Sequence, residues 1–362
     1  MSKFRVIAIY LPQYHPFPEN DQWWGKGFTE WSNVTKAKPL FPGHYQPHLP
    51  TDLGFYDLRV PEVREQQAQM AKEAGIYGFC YYHYWFNGKL LMERPLQEVL
   101  ESGKPDFPFM ICWANENWTR AWDGGEKQIL IKQEYTIEDA KAHINWLIPY
   151  FKDPRYICID NKPVIAIYRT PIIPNLEEML AIWREEASKE GLELYICRFE
   201  SFCDLGEDLL IPGIDAAIEF QPSGGCRLKY LKNNKIKHTL QKIIVKITKG
   251  RCPNFFNYSK YVDFYINYLF PNYKIYPSVC PSWDNSSRRK FGQIIFTGST
   301  PKKYGEWLKS VIQRFKPYSK QENFIFINAW NEWAEGNHLE PDSKWKDAYL
   351  RETKEILDKY NN

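Results

Sequence analysis

Residues 6–16 read Val6-Ile7-Ala8-Ile9-Tyr10-Leu11-Pro12-Gln13-Tyr14-His15-Pro16. The first half is apolar and rich in β-branched side chains, as a buried strand requires. The second half is proline, amide, aromatic and imidazole, with no glycine, and it separates two α/β architectures. A doubly wound open sheet usually follows its first strand with a G-x-G-x-x-G turn, whose bare backbone can wrap a phosphate. Leu11 to Pro16 cannot form that turn. Outward from this point, strand-like stretches at 78–85, 107–114, 164–168, 194–199, 216–220, 275–280 and 324–330 alternate with helix-like stretches at 61–75, 92–102, 136–151, 175–190, 301–315 and 345–360. Strand–helix alternation on this scale, without a phosphate turn, predicts a (β/α)8 TIM barrel. No internal repeat or low-complexity linker interrupts it. A single catalytic domain over 1–362 is therefore expected, with an inserted basic region at about 222–272, before strand seven.

The composition narrows the function. Aromatics make up 17% of the 362 residues and apolar residues 44%. That mixture excludes collagen-like, coiled-coil and disordered chains, and no apolar run is long enough for a polytopic membrane protein. An aromatic excess in so polar a chain either fills a large core or presents rings to a polar ligand such as a sugar. The net charge of +3 gives no global basic field, so no nucleic-acid partner is expected. Charge is nevertheless uneven: 227–251 holds nine of the 47 Lys and Arg and none of the 44 Asp and Glu. Its alternation of Lys with Ile, Leu and Val suits a solvated insertion face, or peripheral contact with an anionic membrane or an acidic polysaccharide.

The eight cysteines form no CxxC pair and no Cys/His cluster at zinc spacing. Cys80, Cys112, Cys158, Cys197 and Cys280 sit in or beside apolar strand-like runs, where a free thiol behaves as a small hydrophobe. Met1-Ser2-Lys3-Phe4-Arg5 leads into the first strand without a signal-like stretch. A reduced, cytoplasmic protein is expected, with the inner membrane as the site of any peripheral contact. No metal and no cofactor are expected.

A barrel of this kind carries its chemistry at the C-terminal ends of its strands, and there the sequence becomes unusual. Tyr14 and His15 follow strand one, with Glu30 and Trp31 in the loop beyond. His83 and Tyr84 end strand two; Trp113, Asn115, Glu116 and Trp118 follow strand three. Glu219 ends strand six, Trp283 and Asp284 strand seven, and Asn331, Glu332, Trp333 and Glu335 strand eight. Ten of the 14 Trp fall in these loops, which predicts a single cleft lined by Trp. The carboxylates and amides would bind hydroxyls or bridge loops, the imidazoles would contact sugar or brace the scaffold, and the rings would stack or pack. Asp123 and Asp284 are further candidates for binding sugar or a cation, and no ligand set at metal-like spacing supports the cation. Glu332 and Glu335 are the sharpest pair, because two residues three apart on a tight turn can face one cleft. Glycoside cleavage needs two carboxyls flanking the scissile bond. In an aromatic, partly dry site such a pair also splits its pKa values. The plain alternative is two solvated loop acids; their position after an apolar strand, among Trp330, Trp333 and Gly336, favours chemistry.

The stretch Trp330-Asn331-Glu332-Trp333-Ala334-Glu335-Gly336-Asn337-His338-Leu339-Glu340-Pro341 resembles the closing motif of glycoside hydrolase family 99. The whole chain resembles the related WbsX-like group of bacterial polysaccharide biosynthesis, a group that carries a glycosyltransferase label. Tyr10-Leu11-Pro12-Gln13-Tyr14-His15, Gly27-Phe28-Thr29-Glu30-Trp31 and Asn115-Glu116-Asn117-Trp118-Thr119-Arg120 carry the same resemblance over nearly the full length. It implies a (β/α)8 barrel and a retaining, endo-acting mannosidase type of chemistry through a 1,2-anhydro sugar. On the matching positions Glu332 would be the base acting on the substrate 2-hydroxyl, and Glu335 the general acid/base. Ala334 departs from the hydrolases, which carry His there. The expected function is a retaining glycoside hydrolase or transglycosidase acting on a bacterial cell-surface polysaccharide or its precursor. The alternatives are a glycosyltransferase of O-antigen or capsule biosynthesis and a catalytically silent glycan-binding protein. No D-x-D motif supports the first, and the intact glutamate pair speaks against the second.

Overall fold

The computed structural model describes residues 3–120, 125–201 and 204–361. Trp122, Asp123 and Cys203 lie outside them.

Nine parallel strands form the central sheet: β1 (Arg5–Tyr10), β2 (Gly78–Phe86), β3 (Phe109–Trp113), β4 (Lys162–Ile167), β5 (Tyr195–Glu200), β6 (Ala216–Glu219), β7 (Ile275–Tyr276), β8 (Ser278–Val279) and β9 (Phe324–Ile327). Neighbours in sequence pair from β1 to β7; β8 pairs with β9, and β9 returns to β1 with Val6 opposite Ile325. Pro277 separates β7 from β8. It has no N–H to give a ladder, yet its carbonyl accepts the Phe326 N–H at 2.9 Å. The two short strands therefore act as one stave, one half bonded to β6 and the other to β9, and the circuit is a (β/α)8 barrel.

The strands form because their residues tolerate burial on both faces. From Val6 to Tyr10 every β1 side chain is buried, as is all of Phe324–Ile327 in β9, the near-continuous apolar pattern of a parallel sheet covered by helices. Gly78 opens β2 where the chain crosses Pro108, and a Cβ there would lie 2.5 Å from the Pro108 carbonyl oxygen. Helices start where the sequence caps them. Pro61 and Pro301 occupy first-turn positions, and the Thr136 hydroxyl accepts the Asp139 N–H at 3.0 Å.

β1 ends at Tyr10, because Pro12 cannot continue the ladder. Among the described residues, the β5–β6 connection holds only the 3-10 turn Glu207–Leu209 and no helix, in line with the absence of a helix-like stretch there. The 222–272 region is ordered. Helices Gly225–Asn233, Lys235–Ile247 and Tyr258–Ile266 surround a strand, Asn254–Asn257, that pairs in parallel with Ile294–Thr297. The seven described cysteines are all free.

Candidate active site

Beyond β9 the chain makes a small antiparallel pair, Asn331–Glu332 with Asn337–His338, joined by the 3-10 turn Trp333–Glu335. The Asn331 side chain replaces the ladder that Pro12 interrupts: its Oδ1 accepts the Leu11 N–H at 2.8 Å and its Nδ2 donates to the Leu11 carbonyl at 3.0 Å. The Tyr14 hydroxyl donates to the Asn331 carbonyl from below. The Trp333 indole donates to Glu340 at 2.6 Å, and the same carboxyl takes the Tyr56 hydroxyl at 2.8 Å and the Gln67 amide at 2.6 Å. Burial pushes Glu340 up to about 7 against the pull of these donors. From the other side, the Asp284 N–H donates to the Glu335 carbonyl at 2.6 Å and the Ser287 hydroxyl to the Ala334 carbonyl at 2.7 Å. Gly336 completes the turn at φ 54°, with a Cβ position 3.0 Å from the Asp284 carbonyl oxygen. A side chain there would meet both backbone strain and backbone atoms.

This clamped turn presents Glu332 and Glu335 to one guanidinium. Arg288 Nη1 lies 3.0 Å from Glu335 Oε1 and 3.6 Å from Glu332 Oε2, and Nη2 lies 3.4 Å from Glu30 Oε1. Glu30 is fully buried at the start of the short helix Glu30–Val34. Three carboxylates thus converge on one cation in a largely dry site. Burial, then the neighbouring Glu335 charge, raises Glu332 well above the ordinary carboxylate range, with Arg288 opposing and Glu30 adding to the rise. Burial also raises Glu30, against Arg288. For Arg288, burial disfavours the charge but the three carboxylates outweigh it, so its pKa is raised. Burial and the neighbouring carboxylates thus favour the protonated form of Glu332 and Glu30 relative to an ordinary carboxylate, and Arg288 offsets only part of that.

The cluster lies at the base of a solvent-open cleft with about 1260 Å³ of empty space. Tyr82, Tyr84, Tyr168 and Phe220 line it with Trp118 and Trp283, and Glu116, Asn117, Asn285 and Arg289 add polar groups. The expectation of a cleft walled by Trp is overturned. Of the described strand-end Trp, only Trp118 and Trp283 line it. Trp31, Trp85, Trp113, Trp330 and Trp333 are buried in packing, Trp23 packs against Trp118 at 6.3 Å and Trp24 against Phe28 at 5.9 Å. Large rings gain most where both faces leave water, and tyrosine, which keeps a hydroxyl for solvent, supplies half of the rings in the wall.

The remaining candidates divide accordingly. Tyr84, Glu116, Trp118 and Trp283 line the cleft with Glu332 and Glu335, and Glu116 also pairs with Arg169 at 2.7 Å. Glu30 reaches the cluster through Arg288. The others are placed in the scaffold behind it. Tyr14 packs between Trp31 and Tyr56, and Trp31 donates its indole N–H to the Tyr56 carbonyl at 2.8 Å. The His15 Nδ1 bonds the Pro12 carbonyl at 3.1 Å, and burial lowers its pKa to about 4. His83 stacks on Trp146 and meets His143 at 2.9 Å, and burial lowers it to about 3. Trp113 is buried and donates to the Trp85 carbonyl at 3.2 Å. Asn115 repeats the Asn331 device, exchanging 2.8 Å bonds with the Arg169 backbone N–H and carbonyl. Glu219 ties β6 to the next stave: it accepts the Tyr265 hydroxyl at 2.6 Å, the Ser278 N–H at 3.2 Å and the Gln221 amide at 2.7 Å. Burial pushes it up to about 7. Asp284 faces away from the cleft, accepting from His44 at 2.6 Å and Gln46 at 3.0 Å. Asn331 and Trp333 are fully engaged in the turn.

Sequence reasoning missed Arg288, the residue that organises the cluster. Ser286-Ser287-Arg288-Arg289-Lys290 follows Asp284-Asn285, and a basic pair in a strand-end loop opposite several glutamates is a signal that could have found it.

The comparisons with known proteins agree with this architecture. Two proteins of Xanthomonas campestris pv. campestris, each described as "Uncharacterized protein WxcX", are 38% identical over 354 residues, which is 97% of this chain and 49% of each relative. The chain thus spans about half the length of these relatives. Among solved structures, a GH99 endo-alpha-mannosidase from Bacteroides thetaiotaomicron superposes with a TM-score of 0.57 at 16% identity, covering 98% of this chain and 97% of that one. A protein described as a glycoside hydrolase-like protein gives 0.59 at 15% identity, covering 100% and 95%. At these identities the likeness is one of fold. The model of the family described as "Glycosyltransferase WbsX" matches residues 6–353, and the chain belongs to that family.

Proposed function

We propose that this protein is a glycan-acting enzyme that cleaves or transfers a glycosidic bond with retention, on a bacterial cell-surface polysaccharide or its precursor. The observation that carries the reading is the Glu332–Glu335 pair held on one Arg288 nitrogen at the base of an aromatic cleft. Sharing Nη1 at 3.0 and 3.6 Å, the two oxygens are separated by no more than the sum of those distances. That limit barely reaches the ~6.5–9.5 Å gap into which an inverting enzyme admits water. In the proposed route a carboxyl of Glu335 protonates the glycosidic oxygen as the C1–O bond breaks. Glu332 takes the 2-hydroxyl proton while O2 closes onto C1, giving a 1,2-anhydro sugar. An acceptor hydroxyl then opens the ring at C1, losing its proton to Glu335, and Glu332 returns its proton to O2. With water as acceptor the outcome is hydrolysis. With a sugar it is transfer, which reconciles a hydrolase-like barrel with the glycosyltransferase name of the family. In the free protein burial favours the proton on Glu332, so substrate must meet Glu332 as it ionises or the two roles are exchanged.

The test is turnover of polysaccharide from the source strain, with and without sugar nucleotides. Release or transfer of oligosaccharide without a nucleotide is the expected result. Turnover that requires a nucleotide would overturn the retaining-glycosidase reading, and tight binding without turnover would favour a silent glycan-binding protein.

The same reading includes peripheral contact with an anionic membrane through 227–251. No helix among the described residues is long and apolar enough to cross a membrane. Helix Lys235–Ile247 instead carries its apolar stripe outward: Ile236 is 81% exposed, Ile247 75% and Leu240 57%. Ile243 and Ile244 belong to the same stripe, since 236, 240, 243, 244 and 247 fall on one helical face. Lys235, Lys242 and Lys246 lie beside it, where long stems can lie on apolar surface and carry their ammonium groups to phosphates. That charge arrangement matches an anionic bilayer. Vesicles with about a third anionic lipid should sediment the protein at low salt, and neutral vesicles should not. Ile236→Glu combined with Ile247→Glu should weaken binding by at least about tenfold, given roughly 0.8 kcal/mol per buried methylene. Equal binding to both vesicle types would sink the proposal.

A further inference from the structure

We infer that His48, His338 and Asp342 form a binding site for a divalent transition-metal ion of the zinc type. The three are buried, His48 stands 290 residues before His338, and they line a different cavity from the cleft that holds Glu332 and Glu335. One ligand atom from each falls within 4.8 Å of the other two. His48 Nδ1 is 2.9 Å from His338 Nε2, and His338 Nε2 is 3.8 Å from Asp342 Oδ2. Tetrahedral zinc with bonds of ~2.0–2.2 Å holds its donors about 3.3 Å apart, and the observed separations straddle that value.

Two further observations turn His338 Nε2 and Asp342 Oδ2 toward the cluster. His338 Nδ1 lies 2.9 Å from the Glu340 carbonyl. A carbonyl can only accept, so that nitrogen carries the ring hydrogen and the Nε2 lone pair is turned into the cluster. Fixing the tautomer through a backbone carbonyl is how metal-ligating histidines are usually oriented. Asp342 is divided in the same way. Its Oδ1 accepts the Lys344 N–H at 2.8 Å and the Trp345 N–H at 2.5 Å, leaving Oδ2 toward His338. Two imidazoles and one carboxylate suit a borderline ion such as Zn²⁺ and disfavour Mg²⁺ or Ca²⁺, which require oxygen. The cluster borders a cavity of about 650 Å³ that also includes His44, Tyr45 and Trp345, with room for water at the remaining coordination position.

The ion would be a staple. His338 pairs with Asn331 across the antiparallel ladder, and its ring stacks on Trp333 at 3.7 Å. Joining His48 to His338 and Asp342 would pin the first long loop to the segment that supports the catalytic turn. Because the ion binds the folded state alone, it would raise stability with concentration.

The experiment uses tag-free, chelator-treated full-length protein, titrated with Zn²⁺ by calorimetry and with Co²⁺ by visible absorption. The expected result is one equivalent per chain, d–d bands of a low-coordinate Co²⁺ site, and a Zn²⁺-dependent rise in Tm. His48→Gln and Asp342→Asn, checked for folding by circular dichroism, should each weaken binding by about 100-fold or more. The absence of saturable binding would overturn the proposal, leaving His48 and His338 as a plain hydrogen-bonded pair. Zn²⁺ binding unchanged in both variants would overturn it equally, by placing the ion elsewhere.

Discussion

Glu335→Gln is expected to lower turnover of the natural glycan by about 10²–10⁴-fold, the usual contribution of a general acid. It should leave most of the activity on an aryl glycoside of the same sugar, because a stabilised phenolate departs without a proton. Glu332→Gln should depress both substrates alike, since removal of the 2-hydroxyl proton is needed whatever the leaving group. The contrast between the two variants on the two substrates is the measurement. Rescue of Glu332→Gln by the aryl glycoside, and not of Glu335→Gln, would exchange the roles. That exchange is physically open because burial and the Glu335 charge raise the Glu332 pKa in the free protein. In either assignment the base must be ionised, so activity should rise with pH through its pKa.

Arg288→Met carries the largest expected effect on stability together with a loss of activity. Arg288 contacts Glu30, Glu332 and Glu335 within 3.6 Å, and removing one partner of a buried ionic group costs about 3–5 kcal/mol. The cost depends on pH. Glu30 and Glu332 already have raised pKa values in the fold, so the folded state holds protons that the unfolded chain releases above its ordinary carboxylate pKa. Their contribution to stability therefore falls as pH rises from that value through the folded pKa. Without the guanidinium the folded pKa values climb further and this window widens. The deficit of Arg288→Met should be smallest in acid and largest above neutrality, measured by urea denaturation across pH. The acid limb of its pH–rate profile should move to higher pH. A deficit independent of pH would show that Arg288 serves packing instead of charge.

Much of the site was legible because its chemistry is local. Glu332 and Glu335 stand on one turn, so their spacing alone brought them together. Arg288 was not legible in that way. Its role comes from meeting Glu30, 258 residues earlier, and Glu332 and Glu335 beyond, and no periodicity encodes that meeting. The amides misled for a related reason. Asn115 and Asn331 look like sugar-binding groups at strand ends, yet each is taken up by neighbouring backbone, because a strand that stops inside a protein leaves an N–H and a carbonyl that must be satisfied. Glu219 was diverted likewise, to the join between β6 and the split stave.

The barrel followed from the linear order of apolar runs, since period and alternation are properties of the chain that any compact arrangement must respect. The glutamate pair and the basic amphipathic stretch were equally present in it. Which aromatic rings face the cleft depended on three-dimensional packing. Composition counts rings but does not record which faces find partners, and packing claimed Trp31, Trp85, Trp113, Trp330 and Trp333 while tyrosines supplied half of the rings in the wall. The protonation of the carboxylates and the convergence of His48, His338 and Asp342 were likewise settled only by folding. Electrostatic and coordinative interactions act over a few ångströms of space, and the residues that share that space are set by the closed barrel.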